Sequence, residues 1–121
     1  MTELVIILPT PPSYHQCQGK SRKGGYKTAK YKNWIKNASL AFYLEKKQNI
    51  SFKNPVEISL FVNGGNSLSD IDNYVKQFPD LLVTLGILKG DNKKYVQSIN
   101  ERWDVTGALE RGTTLLCVSE L

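Results

Sequence analysis

Three aspartates and a lysine lie close together in the middle of the chain, at Asp70, Asp72, Lys76 and Asp91. Carboxylates this near one another repel unless positive charge lies among them, and that charge could come from the lysine or from a divalent cation. Mg²⁺ takes oxygen ligands, commonly one or two protein carboxylates with waters and phosphate oxygens. Lys76 could then meet a phosphate oxygen or the charge that develops in a transition state. One hypothesis is therefore a metal site in which Asp70, Asp72 and Asp91 hold the ion.

The same aspartates also have an ordinary structural interpretation. An aspartate at the start of a helix accepts hydrogen bonds from the unpaired N–H groups of the first turn and complements the helix dipole. Asp91 followed by Asn92 is a common turn pair. The residue types alone leave both interpretations open.

The segment around Lys76 must position these side chains, and its pattern predicts a helix. Apolar residues recur there with the 3.6-residue period of an amphipathic helix, at Ile71, Tyr74, Val75, Phe78, Leu82 and Leu85. Ser69 or Asp70 could cap the start of this helix, and Gly86 fits the position just past its end.

The predicted helix has one consequence for the charged residues and one flaw. On one continuous helix Asp72, Lys76 and Asp80 would share a face, because they are spaced four apart. Pro79 lacks the N–H that would bond the carbonyl of Val75, so we expect a bend or a break between these two residues. We assign Asp80 to the helix surface, or to pairing with a lysine, rather than to the metal site.

The order of these motifs resembles that of the RusA family of Holliday junction resolvases. The resemblance rests on Asp70-Ile71-Asp72-Asn73 followed by Lys76, then Asp80-Leu81-Leu82, Gly86 and Asp91. It extends to the N-terminal region, where a predicted strand over 4–8 precedes Pro11-Pro12-Ser13. The length of the chain and the placement of the motifs agree as well.

The resemblance implies a small homodimeric endonuclease, typically of prophage origin, that acts in DNA recombination and repair. Such enzymes bind four-way DNA junctions and make paired symmetric nicks with Mg²⁺, for which Mn²⁺ is a plausible substitute. It matches Asp70, Asp72 and Asp91 to the metal-binding catalytic aspartates and Lys76 to the catalytic lysine. Members of the family often carry two acids where this chain has Gly90 followed by Asp91, so Asp91 would serve alone.

Positive charge is concentrated in the N-terminal third of the chain. The net charge is +5, and residues 4–44 include seven basic side chains and no acidic one. Such asymmetry indicates an anionic partner. A glycine-containing arm over 13–27 carries much of this charge, and the predicted DNA-binding residues are Lys20, Arg22, Lys23, Lys27 and Lys30. These side chains would neutralise backbone phosphates; a solvated flexible loop is the other interpretation of the arm.

The remaining segments predict an α+β domain with one mixed sheet. Strands are expected over 4–8, 56–62, 95–103 and 113–119, and the first of them is predicted to be buried. A long helix is expected over 28–47. Segment 104–112 would join the last two strands as a hairpin loop. The predicted order is therefore β-α-β-α-β-β, with two helices mainly on one face of a single sheet, and one domain covering residues 1–121.

Composition places the chain among ordinary globular proteins. It has 121 residues, of which 40% are hydrophobic and 22% charged, enough for a single modest core. No apolar run is long enough for a transmembrane helix and the start of the chain lacks a signal-peptide pattern, so we expect a cytoplasmic protein without a membrane partner. Cys17 and Cys117 are expected to be free thiols. No zinc, nucleotide-binding or hydrolase motif occurs.

Two other functions stay open from the sequence. One is a non-catalytic basic nucleic-acid-binding module of phage origin, in which the acids only cap helices; its binding would depend steeply on salt and not on Mg²⁺. The other is a phage protein-interaction factor that uses the surfaces around Trp34 and Trp103. Neither requires acids clustered beside Lys76, so that cluster favours the endonuclease.

Overall fold

The computed structural model describes residues 3–47, 49–66 and 69–121, so residues 1, 2, 48, 67 and 68 of the predicted domain lie outside the description. Six strands occur in these ranges, at β1 (Glu3–Pro9), β2 (Gln18–Ser21), β3 (Gly24–Lys27), β4 (Val56–Val62), β5 (Val96–Trp103) and β6 (Thr113–Glu120). They alternate with a 3-10 turn over Ile71–Tyr74 and with three helices, at α1 (Tyr14–Cys17), α2 (Ala29–Leu44) and α3 (Gln77–Thr84). The predicted α+β class is confirmed.

The main sheet is mixed, as predicted, and its four strands lie in the order β1-β6-β4-β5. β6 runs antiparallel between β1 and β4, whereas β5 pairs in parallel with β4. The predicted hairpin between β5 and β6 is therefore wrong, because β4 separates them and segment 104–112 passes the end of β4. The reason is the difference in burial between the two strands. β6 buries Thr114, Leu116 and Val118, as a central strand does, whereas the residues of β5 are half-buried or exposed, as suits an edge strand.

Helices α2 and α3 pack on one face of this sheet. Alternate residues of β1 and β4 point into the core, at Leu4, Ile6, Leu8, Val56, Ile58, Leu60 and Val62. The helices cover them with Tyr31, Trp34, Ala38 and Phe42 from α2 and with Phe78, Leu81 and Leu82 from α3. Thr28 caps α2, because its hydroxyl accepts a hydrogen bond from the N–H of Tyr31 at 3.3 Å. The long helix predicted over 28–47 is confirmed, apart from its last residues.

The opposite face of the sheet stays open to solvent in the part of the chain that the structure describes. Val5 and Ile7 of β1 are 41% and 51% exposed there. The prediction of a buried first strand therefore holds for Leu4, Ile6 and Leu8 and is wrong for Val5 and Ile7. A continuous apolar run has the same pattern in a central strand and in an edge strand whose outer face is apolar, so periodicity alone could not separate them.

The basic arm is folded rather than a loop. It consists of the short helix α1 and an antiparallel hairpin of β2 and β3, in which Gln18 faces Lys27 and Ser21 faces Gly24. The φ of Gly24 is +112°, which favours glycine at this turn. The prediction of a single sheet with two helices missed these elements, because the hairpin is exposed on both faces and shows no apolar alternation.

The segment around Lys76 forms two short pieces rather than one helix. The 3-10 turn ends at Tyr74 and α3 begins at Gln77, so the break lies where Pro79 predicted it. Pro79 itself falls in the first turn of α3, where a missing N–H removes no bond within the helix. Because the apolar spacing continues across both pieces, the period alone predicted a single helix.

Two smaller expectations can be compared with the structure. Cys17 and Cys117 are free thiols, as predicted; Cys17 is fully buried and Cys117 is half-buried. Among the helices in the described ranges, none is long and apolar enough to cross a membrane.

Candidate active site

An open cleft beside the edge strand β5 brings together three of the four side chains predicted to be catalytic. Asp72, Lys76 and Asp91 all line this cleft, which encloses about 310 Å³. The other lining residues are Val75, Pro79, Ile99 and Glu101. Residues from the 3-10 turn, from the start of α3 and from the loop after it therefore meet at one opening on the surface.

Glu101 is an acidic residue of the cleft that the sequence analysis missed. It is half-buried on β5, two residues after Ile99, and side chains two apart on a strand point to the same face. Ile99 and Glu101 thus both face the helices. The sequence pattern that could have indicated this is that Glu101 alternates with the apolar residues Ile99 and Trp103, which places all three on one face of the strand.

Asp70, the fourth predicted catalytic residue, lies outside the lining of the cleft. It is exposed and occupies the N-cap position of the 3-10 turn, where its backbone carbonyl accepts the N–H of Asn73 at 3.2 Å. Its side chain makes no capping hydrogen bond. The role of Asp70 as a metal ligand stays a prediction.

A buried glutamine fastens the segment that carries Asp72 and Lys76. Gln77 is 1% exposed, and its Nε2 donates hydrogen bonds to the carbonyl oxygens of Pro12, at 2.8 Å, and Asn73, at 2.7 Å. The first bond reaches the proline-rich loop after β1, and the second reaches the 3-10 turn. One side-chain amide therefore joins two segments that border the site.

Two aromatic contacts hold the same region. The ring of Tyr74 packs edge-on against Trp103 of β5, with 5.8 Å between the ring centroids. The Nζ of Lys76 lies 5.5 Å from the centroid of the Tyr14 ring, within the range of a cation–π interaction. Lys76 is thereby positioned between the acidic cleft and helix α1.

Asp91 lies in a tight turn between α3 and β5. The N–H groups of Tyr95 and Val96 both bond the carbonyl of Asn92, at 2.9 Å. The ring of Tyr95 packs over Gly90, where an added Cβ would lie 2.8 Å from two ring carbons. A second acid directly before Asp91 would therefore displace this ring, which is a physical reason for the glycine.

Asp91 lines a second opening together with Asp80 of α3, so the two carboxyl groups are close neighbours. Burial, followed by the hydrogen bond to Asp91 and the charge of Asp91, raises the pKa of Asp80; Lys76 and Lys27 act in the opposite direction. The sequence predicts Asp80 on the helix surface or paired with a lysine. The structure places it near both lysines and also against Asp91.

Lys27, at the end of β3, reaches the same region from the basic hairpin. It lines this second opening together with Asp80 and Asp91, and its Nζ lies 5.6 Å from the centroid of the Tyr31 ring. Burial, with a smaller effect from the charge of Asp80, raises the pKa of Tyr31 to about 12, so the phenol stays neutral at physiological pH. Lys27 and Lys76 therefore both lie close to the neighbouring carboxyl groups of Asp80 and Asp91.

The donor atoms of the cleft fit a hard divalent cation. The carboxylates of Asp72, Asp91 and Glu101 offer oxygen ligands, and Mg²⁺ is usually bound by only one or two protein carboxylates with waters and phosphate oxygens. Among the described residues, no group of three or more His, Cys, Asp or Glu side chains is placed to hold a metal ion. By residue type these carboxylates suit Mg²⁺, and their placement does not form a site of three carboxylates.

The predicted DNA-binding residues fall in three places. Lys20, Arg22 and Lys23 are exposed on the hairpin, Lys27 lies beside the acidic cleft, and Lys30 is exposed in the first turn of α2. None of the five forms an ion pair with a carboxylate in the ranges that the structure covers. Their positive charge is therefore available to a polyanion.

The two tryptophans do not form one exposed surface. Trp34 is 4% exposed, and its Nε1 donates a 2.6 Å hydrogen bond to the carbonyl of Pro9. Trp103 is half-buried against Tyr74. The hypothesis of an interaction surface around Trp34 is therefore contradicted, because this residue belongs to the core.

Comparison with known proteins adds no family to this description. No protein-family model matches the chain, and a search of curated protein sequences finds no significant match.

Proposed function

We propose that this protein is a Mg²⁺-dependent endodeoxyribonuclease that resolves four-way DNA junctions by paired symmetric nicks, in DNA recombination and repair. One observation carries the proposal: Asp72, Lys76 and Asp91, which the sequence motif marked as catalytic, line a single open cleft. The basic hairpin beside that cleft supports a polyanionic substrate.

Asp72 and Asp91 would hold the metal ion, with Glu101 as a further oxygen donor in the same cleft. A bound Mg²⁺ would activate water and stabilise the charge that develops at the phosphate. Lys76 would contact a non-bridging phosphate oxygen and offset its negative charge in the transition state. Lys27 would contact the phosphate backbone from the hairpin side of the pair formed by Asp80 and Asp91.

The active unit in this proposal is a homodimer, because two scissions in opposed strands need two active sites. The open face of the main sheet is the surface that we propose for the second copy. It exposes Val5 and Ile7, and Phe61 and Leu115 line an opening on it. A sheet with helices on one face only leaves apolar surface uncovered unless another layer packs on it.

Charge supports a two-fold arrangement of these sheets. Glu57 lies at the start of β4 on the open face, and Arg102 lies near the end of β5 on the same face, 5.6 Å from the ring centroid of Phe61. A dyad that reverses the strand direction would set the Glu57 end of one copy against the Arg102 end of the other. The interface would then be self-complementary, as a two-fold interface requires.

The dimer surface can be tested with two matched substitutions. Ile7→Glu places a charge on the open sheet face, whereas Leu40→Glu places one on α2, and the native side chains are 51% and 53% exposed. Analytical ultracentrifugation should give a monomer for Ile7→Glu and a dimer for both the wild type and Leu40→Glu. A monomeric wild type, or an Ile7→Glu variant that stays dimeric, would contradict the proposed interface.

The enzymatic activity can be tested on a synthetic four-way junction with a linear duplex as control. In Mg²⁺ we expect paired nicks in the junction, no cleavage of the duplex, and no cleavage of either in EDTA. Equal cleavage of both substrates would contradict junction selectivity. Junction binding without cleavage in Mg²⁺ or Mn²⁺ would contradict the enzymatic proposal.

A non-catalytic nucleic-acid-binding module is the second candidate function. It is favoured by the exposed basic residues of the hairpin, Lys20, Arg22 and Lys23, which can bind DNA phosphates without a metal ion. In that case binding would fall steeply with salt and would be indifferent to Mg²⁺ and to Asp70→Asn. The EDTA arm of the assay and the salt dependence of binding separate the two functions.

A further inference from the structure

An open groove runs between the proline-rich loop after β1 and helix α2. It encloses about 470 Å³, and its lining includes Pro12 and Trp34 as well as three polar side chains of α2, Lys30, Asn33 and Asn37. The aspartates of the acidic cleft are not part of this lining. The groove is therefore a separate feature of the surface.

The loop side of the groove is held by hydrogen bonds. Trp34 donates from Nε1 to the carbonyl of Pro9 at 2.6 Å. The hydroxyl of Thr10 donates to the carbonyl of Asn63 at 3.0 Å and lies 2.8 Å from the hydroxyl of Thr114. The loop is thus fastened to α2 and to the ends of two strands, so it forms a preformed wall for a ligand.

The helix side of the groove is a row of exposed donors. Lys30, Asn33 and Asn37 are spaced three and four apart, so they follow one face of α2 over about 10 Å at 1.5 Å per residue. One strand of a DNA duplex carries a phosphate about every 3.4 Å along the helix axis. The row of side chains is therefore about as long as three phosphate spacings along that axis. Residues 4–44 contain no carboxylate to repel the phosphates.

One residue of the groove lies close in the sequence to a residue beside the acidic cleft. Lys27, which lines the opening with Asp80 and Asp91, is three residues before Lys30. Thr28 lies between these two lysines in the chain, and its hydroxyl donates a 2.6 Å hydrogen bond to the backbone carbonyl of Gln16. Gln16 also lines the groove. Two basic residues three positions apart in the chain therefore line the opening beside Asp80 and Asp91 and the groove, respectively.

We infer that this groove binds the sugar–phosphate backbone of one DNA strand that leads to the cleft, with Lys30, Asn33 and Asn37 as its phosphate contacts. Side-chain amides and lysine are usual donors to phosphate oxygens and sugar. Contacts of this kind fix position and carry no base sequence, as recognition of junction shape requires. The inference rests on the proposed function and adds a site for one arm of the substrate.

The test measures binding of a fluorescent four-way junction by anisotropy in EDTA, where no cleavage occurs, over a series of salt concentrations. Lys30→Gln should weaken binding and reduce the slope of log K against log salt by about 0.9, the value for one lost phosphate contact. Asn33→Asp with Asn37→Asp, which places two negative charges beside the phosphates, should lower affinity by about tenfold or more. Circular dichroism and thermal melting confirm that each variant is folded.

Matched controls are available outside the groove. Lys53→Gln removes the same charge from an exposed residue, and Asn49→Asp adds a negative charge at an exposed residue between α2 and β4; neither residue lines the groove. Groove variants that bind with the affinity and salt slope of these controls would overturn the inference while leaving the nuclease proposal intact. A wild-type protein that binds no junction DNA would overturn both.

Discussion

The Nε2 atom of Gln77 donates a 2.8 Å hydrogen bond to the carbonyl oxygen of Pro12, a residue 65 positions earlier in the chain. The same atom donates to the carbonyl of Asn73 at 2.7 Å, so one buried amide joins the proline-rich loop to the segment that carries Asp72 and Lys76. The Oε1 of Gln77 has no hydrogen-bond partner among the described residues. The amide is therefore used for its donors.

Replacing Gln77 should loosen the site as well as the fold. Gln77→Met preserves the size of the side chain but leaves two carbonyl groups without their donor, so we expect a loss of about 2–3 kcal/mol in the free energy of unfolding. Gln77→Glu should be at least as harmful, because a carboxylate would face two carbonyl oxygens. Urea denaturation measures both effects. Gln97→Met, on an exposed residue of β5, should change stability by less than about 0.5 kcal/mol. Equal stability of the two methionine variants would contradict the role of Gln77.

Gly90 should tolerate no larger side chain while Tyr95 is present. A Cβ at residue 90 would lie 2.8 Å from two carbons of the Tyr95 ring, so Gly90→Ala is expected to cost about 1–3 kcal/mol. At Gly25 the nearest atom to an added Cβ is 3.7 Å away, and Gly25→Ala should be close to neutral. Thermal denaturation distinguishes the two. A double-mutant cycle with Tyr95→Leu should show a coupling free energy of about 1 kcal/mol, and strict additivity would rule out the steric explanation.

The pair formed by Asp80 and Asp91 should make stability depend on pH. The raised pKa of Asp80 means that the folded state binds its proton more tightly than the unfolded state does. This contribution to stability is fully present below the ordinary carboxyl pKa and is lost as the pH rises through the raised value. Asp80→Asn removes the titrating group, so its stability relative to the wild type should improve as the pH rises from below the ordinary carboxyl pKa through the raised value.

Chemical denaturation at several pH values measures this difference. Glu110→Gln, which neutralises an exposed acid in the loop before β6, provides the control for a general change in charge. The free energy of unfolding of Glu110→Gln relative to the wild type should change little with pH. If that of Asp80→Asn relative to the wild type is equally constant, Asp80 does not titrate abnormally.

The two thiols should differ in their reactivity. Cys17 is fully buried, its Sγ donates to the carbonyl of Pro12 at 3.5 Å, and burial raises its pKa. Cys117 is half-buried on the open sheet face, and burial raises its pKa as well. Iodoacetamide should therefore modify Cys117 before Cys17 in the monomeric Ile7→Glu variant, in which no second copy covers the open face, and both thiols rapidly in urea. In Cys117→Ser, mass spectrometry should find no fast native modification; rapid labelling of Cys17 would contradict its burial.

The sequence predicted the helices and strands whose apolar residues recur with a strong period. It did not predict which strands pair with each other. The alternation of β4 and the apolar stripe of α2 are local properties, so both elements were located nearly to their ends. Which strand lies beside β5 depends on the burial of β4 and β6 together, and that information is spread over the whole chain. The exposed hairpin of β2 and β3 has no apolar pattern, so nothing local marked it as a strand pair.

The candidate site was predictable to a similar extent. Asp72, Lys76 and Asp91 share one cleft, as their motif indicated. Asp70 lies outside its lining, because the expected helix is a 3-10 turn that directs neighbouring residues differently. Glu101 was missed because its significance depends on which face of β5 meets the helices. That choice is made by tertiary packing and not by local sequence.

The most direct test compares single-turnover cleavage of a four-way junction by the wild type and by Asp91→Asn, Lys76→Ala and Glu110→Gln in Mg²⁺. If Asp91 and Lys76 act on the scissile phosphate, both of their variants should lose about 100-fold or more in rate while still binding the junction. Glu110→Gln, an exposed residue outside the cleft, should cleave at the wild-type rate. Cleavage by Asp91→Asn and Lys76→Ala at the rate of Glu110→Gln would contradict an active site in this cleft.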